Sequence, residues 1–153
     1  MLHKSFFISL LCVMTLAFSS CGGSGSKNEL WNMLSGIWRL NEPMDLGSNN
    51  IFYFFGFDDD QKPICFPVWY YEMGEIEYVT EVEKLNDSSF RVTLEVPAND
   101  EEDGLHEVHE AYTIIRDFDV SRYSEGVFTM STPGSITVWT FAGKTFDELT
   151  YID

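Results

Sequence analysis

The sequence predicts an all-β domain: an antiparallel up-and-down meander closed into a barrel of eight or nine strands, with a short N-terminal helix. Three observations carry this expectation. Runs rich in β-branched and aromatic residues recur along the chain, and Asn, Asp, Gly, Pro and Ser fill the gaps between them. The gaps are short, which favours hairpins, and no helix-length segment is present for parallel crossovers. A single meander of this many strands removes its exposed edges best by closing on itself.

Before that domain stands a leader. Met1-Leu2-His3-Lys4 gives a short positive start, and Phe6 to Phe18 forms an apolar run broken only by Ser9 and Thr15, the pattern of an export signal. A spanning helix needs about 20 apolar residues, so this run is too short to cross a bilayer. Ser19 and Ser20 followed by Cys21 resemble the bacterial lipobox, although Phe18 stands where leucine is usual. The resemblance implies diacylglycerol on the Cys21 thiol, cleavage before Cys21 and acylation of the new amine. Several acyl chains, at about 0.8 kcal/mol per buried CH₂, make a stable anchor. The expected organisation is therefore a signal peptide over residues 1–20, a flexible Gly/Ser tether over 21–28 and the barrel over 29–153.

Loss of the leader leaves 133 of 153 residues, enough for one domain with a core that needs no covalent staple. Of the three cysteines, Cys12 leaves with the leader and Cys21 is acylated, so Cys65 has no partner for an internal disulfide. All 25 acidic residues come after Cys21, and loss of Lys4 takes the formal charge from −16 to −17. Such a balance opposes nucleic acid and anionic headgroups as partners. It suits a solvated surface, a cationic partner or divalent ions.

Along the domain, Asn28 is placed to cap a short helix whose Leu30, Trp31, Met33 and Leu34 gather on one side. Too short to stand alone, the helix must dock on the strands after it. The expected strands cover residues 34–40, 51–57, 64–71, 76–85, 89–96, 106–118, 126–132, 136–141 and 145–152. Alternation is cleanest in 89–96, where Phe90, Val92, Leu94 and Val96 share a face. In 76–85 the same reading turns Ile76, Tyr78, Thr80 and Val82 inward and Glu75, Glu77, Glu81 and Glu83 outward, with Val79 an exception. Segments 51–57 and 64–71 are apolar on both faces and call for cover on both sides or an exposed aromatic surface. Pro67 cannot donate to a ladder, which predicts an edge strand or a bulge there.

A short helix followed by Gly36-x-Trp38 on the first strand, then a meander of eight or nine strands, resembles the lipocalin-like proteins of the calycin group, and small Bacteroidota lipoproteins with such domains in particular. The resemblance implies that Trp38 packs at the closed end of a barrel under the helix and that Gly36 allows close backbone approach. It also implies a basic partner for the tryptophan, for which Lys144 is the candidate, and an opposite end open to small apolar ligands. The second and third motifs of that family are not evident.

Chemistry-bearing clusters are few. Cys65 with His106 or His109 is the candidate nucleophile pair, but Ile64 and Phe66 flank the thiol and favour a buried, inert side chain. His106 and His109 differ in parity and face opposite sides of a strand, which argues against a shared metal. Asp58, Asp59 and Asp60 on one tip, and the run 99–104 on another, offer hard oxygen ligands without the spacing of a full calcium loop. The aromatic excess is the best hint of function: Phe52, Tyr53, Phe54, Trp69, Tyr70 and Tyr71 exceed what a small core needs, although filling a narrow barrel would also use them. Phe54, Trp69, Tyr71, Tyr78 and Tyr112 are the candidate ligand contacts, with Thr80 as a further polar group.

The expectation is a non-enzymatic, lipid-anchored binding protein of the bacterial envelope, at the outer membrane on a face left open, holding a small apolar ligand and no cofactor. Its alternative is an interaction or structural module of an envelope complex, with a Cys65 hydrolase as the minor reading. The destination of the aromatics separates the first two: a cavity holding them favours a ligand, an exposed patch a protein partner.

Overall fold

The computed structural model describes residues 24–41, 51–69, 72–100 and 108–149. Helix α1 (Ser24–Leu34) leads into β1 (Gly36–Leu40), β2 (Ile51–Phe57), β3 (Pro63–Trp69), β4 (Glu72–Met73), β5 (Glu77–Lys84), β6 (Ser89–Val96), β7 (Tyr112–Asp119), β8 (Val127–Thr132) and β9 (Ser135–Gly143). Every pairing is antiparallel. The sheet runs β2-β1-β9-β8-β7-β6-β5-β3 and closes through β2–β3, so eight strands make a barrel with β4 appended to β3. Apart from β4, each strand neighbours the next in the chain around the ring, as expected of an up-and-down meander.

The barrel closes because its inner positions alternate with outer ones over eight strands and are almost all large and apolar. Trp38, Tyr53, Phe55, Phe90, Val92, Leu94, Phe118, Phe128 and Trp139 form one buried cluster, joined by Leu30, Trp31 and Leu34 of α1. The rings meet edge-on more often than face-on, as their quadrupoles prefer: Trp38 lies 4.8 Å from Phe128 and 5.3 Å from Phe141, both T-shaped. Helix α1 is fixed over one end by two indole hydrogen bonds, Trp31 Nε1 donating to the Ile64 carbonyl (2.9 Å) and Trp38 Nε1 to that of Leu34 (2.7 Å). Gly36 sits at φ +132°, and a Cβ there would stand 2.8 Å from the Phe141 ring and 3.0 Å from the Gly143 carbonyl. Glycine is thus required both by backbone angle and by space.

Strands β2 and β3 are covered on both faces. Their outer side chains Phe52, Ile64, Phe66 and Val68 form a second buried cluster with Ile37 of β1. Phe54 stacks between Phe66 (4.8 Å) and Phe146 (5.9 Å), the latter from a 3₁₀ turn, Phe146–Glu148, that comes after β9. Arg39 lies over the Phe52 ring on the same side.

Several elements differ from expectation. The helix begins at Ser24, so part of the expected tether is helical and Asn28 lies within α1 rather than capping it; docking of Leu30, Trp31 and Leu34 stabilises this otherwise weak segment. Residues 145–149 make a turn, not a ninth meander strand, and beyond 149 the expected strand lies outside the described residues. The strand expected over 106–118 is β7, starting at Tyr112, with His109 in an isolated bridge to Asn99. Pro67 is not at an edge. It sits where the outer partner of β3 changes from β5 (at Ile64 and Cys65) to β4 (at Val68 and Trp69), so the missing N–H falls in a break of the ladder.

Candidate functional site

The end of the barrel away from α1 holds a cleft of about 200 Å³, with Leu40, Ile51, Trp69, Thr132, Ser135 and Thr137 among its walls and Tyr53, Arg116, Met130 and Trp139 reaching it from deeper in the barrel. Each strand runs from one end to the other. On β1, Trp38 meets the helix and Leu40 meets the cleft; on β2, Phe55 touches Trp31 and Ile51 lines the cleft.

Between the aromatic plug and the cleft lies a buried ionic cluster. Arg116 of β7 forms a bidentate pair with Glu77 of β5, through Nη1 to Oε2 and Nη2 to Oε1 (2.7 Å), with side chains 12% and 7% exposed. The Tyr53 hydroxyl donates to Glu77 Oε2 (2.5 Å) and accepts from Arg116 Nη1, and the Cys65 thiol donates to Glu77 Oε2 (3.3 Å). The guanidinium carbon lies 5.2 Å from the Tyr53 ring centre. Burial works against the charge on Arg116, but Tyr53 and Glu77 outweigh it and hold the group above its usual range. Burial, then the charge of Glu77, pushes the Cys65 thiol well up, so it stays protonated. Burial likewise raises Tyr53, with Cys65 and Glu77 adding to it.

At the rim, His109 Nε2 stands 2.6 Å from Glu75 Oε1, and its Nδ1 stands 2.8 Å from the Glu110 carbonyl. Two acceptors call for two donors, an imidazolium. The carbonyl of Glu110 and then the Glu75 carboxylate hold its pKa above the ordinary value. The Tyr112 hydroxyl donates to Glu75 Oε2 (3.4 Å).

Of the candidate ligand contacts, the structure brings Trp69 to the cleft, 46% exposed. Phe54 and Tyr78 belong to the outer cluster instead, because they share parity with Phe52 and Ile64 rather than with the inward Tyr53 and Cys65. Tyr112 is on the rim beside Glu75, Thr80 is exposed, and Tyr71 lies outside the described residues. The expectation that Glu77 faces outward is overturned: a register shift between Val79 and Glu81 puts Glu77, Val79 and Val82 on the inner face and exposes Ile76. Trp38 is packed by Tyr123, Phe128 and Phe141, while Lys144 is exposed with its backbone N–H on Glu148.

Cys65 meets Glu77 and not a histidine; His106 and Cys21 lie outside the described residues. Asp58 accepts the Lys62 backbone N–H (2.8 Å) and Asp60 pairs with the Lys62 ammonium (3.5 Å), so two of the three tip carboxylates face their own hairpin. Among the described residues no three His, Cys, Asp or Glu side chains converge on a metal position, and no helix is long and apolar enough to cross a membrane. Sequence reasoning missed Glu77, Arg116 and Tyr53 as one unit. Their signal was an acid on β5 and a base on β7 at inward parity.

Comparison with protein-family models, with curated proteins and with solved structures finds no match to this chain.

Proposed function

We propose that the protein is a non-enzymatic, lipid-anchored binding protein of the bacterial envelope, held by acylated Cys21 and carrying a small, largely apolar ligand in the open end of a lipocalin-like barrel. One observation carries the ligand reading: the barrel is plugged by α1 and packed aromatics at one end, while the other keeps a cleft whose lining is mostly apolar, with a few convergent polar groups. The anchor rests on the leader and on Ser19-Ser20-Cys21. Native mass spectrometry of protein purified from its own membranes tests the first part, and a barrel that carries no small molecule in any preparation counts against it. Cys21→Ala tests the second: it should abolish palmitate labelling and release the domain to the soluble fraction, whereas an acylated, membrane-bound variant would refute the anchor.

A second reading, an interaction module of an envelope complex, is favoured by Ile115 and Ile136, which are 52% and 68% exposed. Cross-linking in intact cells that traps one partner through these positions, with an empty cleft, would put that reading first.

A further inference from the structure

Resting on that ligand-binding reading, we infer that the cleft selects neutral, single-ring molecules carrying a hydrogen-bond acceptor, and rejects anions and cations of the same shape. Size is the first argument. An apolar cavity of about 150 Å³ holds benzene, and one water takes about 30 Å³ of liquid. The cleft of about 200 Å³ therefore has room below its mouth for one ring and a short substituent.

Charge is the second. Arg116 lines the cleft, but its guanidinium is already matched by the bidentate Glu77 carboxylate. A ligand carboxylate would have to displace Glu77, leaving a buried anion with only Tyr53 and Cys65 as donors, or else sit beside it as a like charge. A cationic ligand finds the Glu77 carboxylate already taken up by Arg116, Tyr53 and Cys65, with the Arg116 guanidinium as a like charge beside it. A neutral acceptor meets neither penalty. Arg116 has five N–H donors, and two of them, Nε–H and the second Nη2–H, have no acceptor among the described residues. A carbonyl oxygen suits these donors, and the walls supplied by Trp69, Trp139 and Met130 suit a ring.

Benzamide, benzoate and benzamidinium share one shape and differ in charge, and toluene lacks the acceptor. With the full-length folded domain, ligand-observed NMR and calorimetry should rank benzamide at least tenfold tighter than either ion and at least threefold tighter than toluene. Trp69→Ala should weaken benzamide at least threefold. Glu77→Gln, checked for folding by its melt, should shift the benzoate-to-benzamide ratio tenfold or more toward benzoate; the wild-type ranking decides even if that variant does not fold. Benzoate or benzamidinium binding as tightly as benzamide overturns the inference and leaves the ligand cleft standing. Benzamide binding that ignores Trp69→Ala places the site elsewhere and also overturns it. No binding by any of the four overturns the inference, while the ligand reading stands or falls on the native mass spectrometry.

Discussion

The pair most exposed to test is Glu77 with Arg116, since removing one member strands a charge inside the barrel. Breaking a buried pair from one side costs about 3–5 kcal/mol. The structure separates the two single variants. Glu77→Leu leaves a guanidinium that lines the cleft and can be hydrated from it, so about 3 kcal/mol is expected. Arg116→Leu leaves a deeper carboxylate with only Tyr53 and Cys65 to donate to it, so about 5 kcal/mol is expected. In the double variant no charge is stranded, and the cost reduces to the Tyr53 hydroxyl and the weaker Cys65 thiol left without their acceptor, about 1–3 kcal/mol. Two-state urea unfolding with a slope of about 2 kcal/mol per M would lower the midpoint by about 1.5–2.5 M for the singles and by less for the double. The coupling energy should exceed about 2 kcal/mol. Singles costing under about 1 kcal/mol, or a double equal to their sum within about 0.5 kcal/mol, would mean that water reaches Glu77 as well as Arg116 and that the barrel interior is not closed around the carboxylate.

Three further outcomes are expected. Trp38→Ala removes a side chain 1% exposed and should cost about 3–5 kcal/mol; a midpoint that does not move would place Trp38 outside the core. His109 is held above the ordinary imidazole value of about 6.5 by Glu110 and Glu75, so its stabilising contribution is present below that pH and is lost as pH rises through the folded value. An NMR titration of the ring should show the raised midpoint and its fall in Glu75→Gln, and a wild-type midpoint at or below about 6.5 would refute the contact. Millimolar calcium should raise the melting temperature no further than sodium chloride of matched ionic strength. A saturable calorimetric signal lost on changing Asp58, Asp59 and Asp60 to Asn would instead establish a site on that tip.

Fold and site differ in how far the sequence exposes them, and strand β5 shows why. Spacing and turn chemistry are local, so the strands, their antiparallel order and the closure could be read from runs and gaps. Facing is a parity question, and one extra residue reverses it. In β5 the sign was Val79, an apolar side chain out of step with Val82 three positions on. Two buried valines three apart cannot share a face of a regular strand, so a bulge must lie between them, and the register shifts there, between Val79 and Glu81. Placing that bulge turns Glu77 inward. On β7 the buried Phe118 fixes the parity that carries Ile114 and Arg116 to the inside. A buried acid then needs a buried base, and β5 and β7 flank the same β6. The cluster thus follows from one misfit valine and one phenylalanine once three strands are considered together. The outward turn of Phe54 rests on the same parity, since its neighbours Tyr53 and Phe55 take the inner positions of β2. The cleft does not follow in this way, because its size depends on how far Trp69, Trp139 and Met130 fill the open end, which no run of residue types specifies.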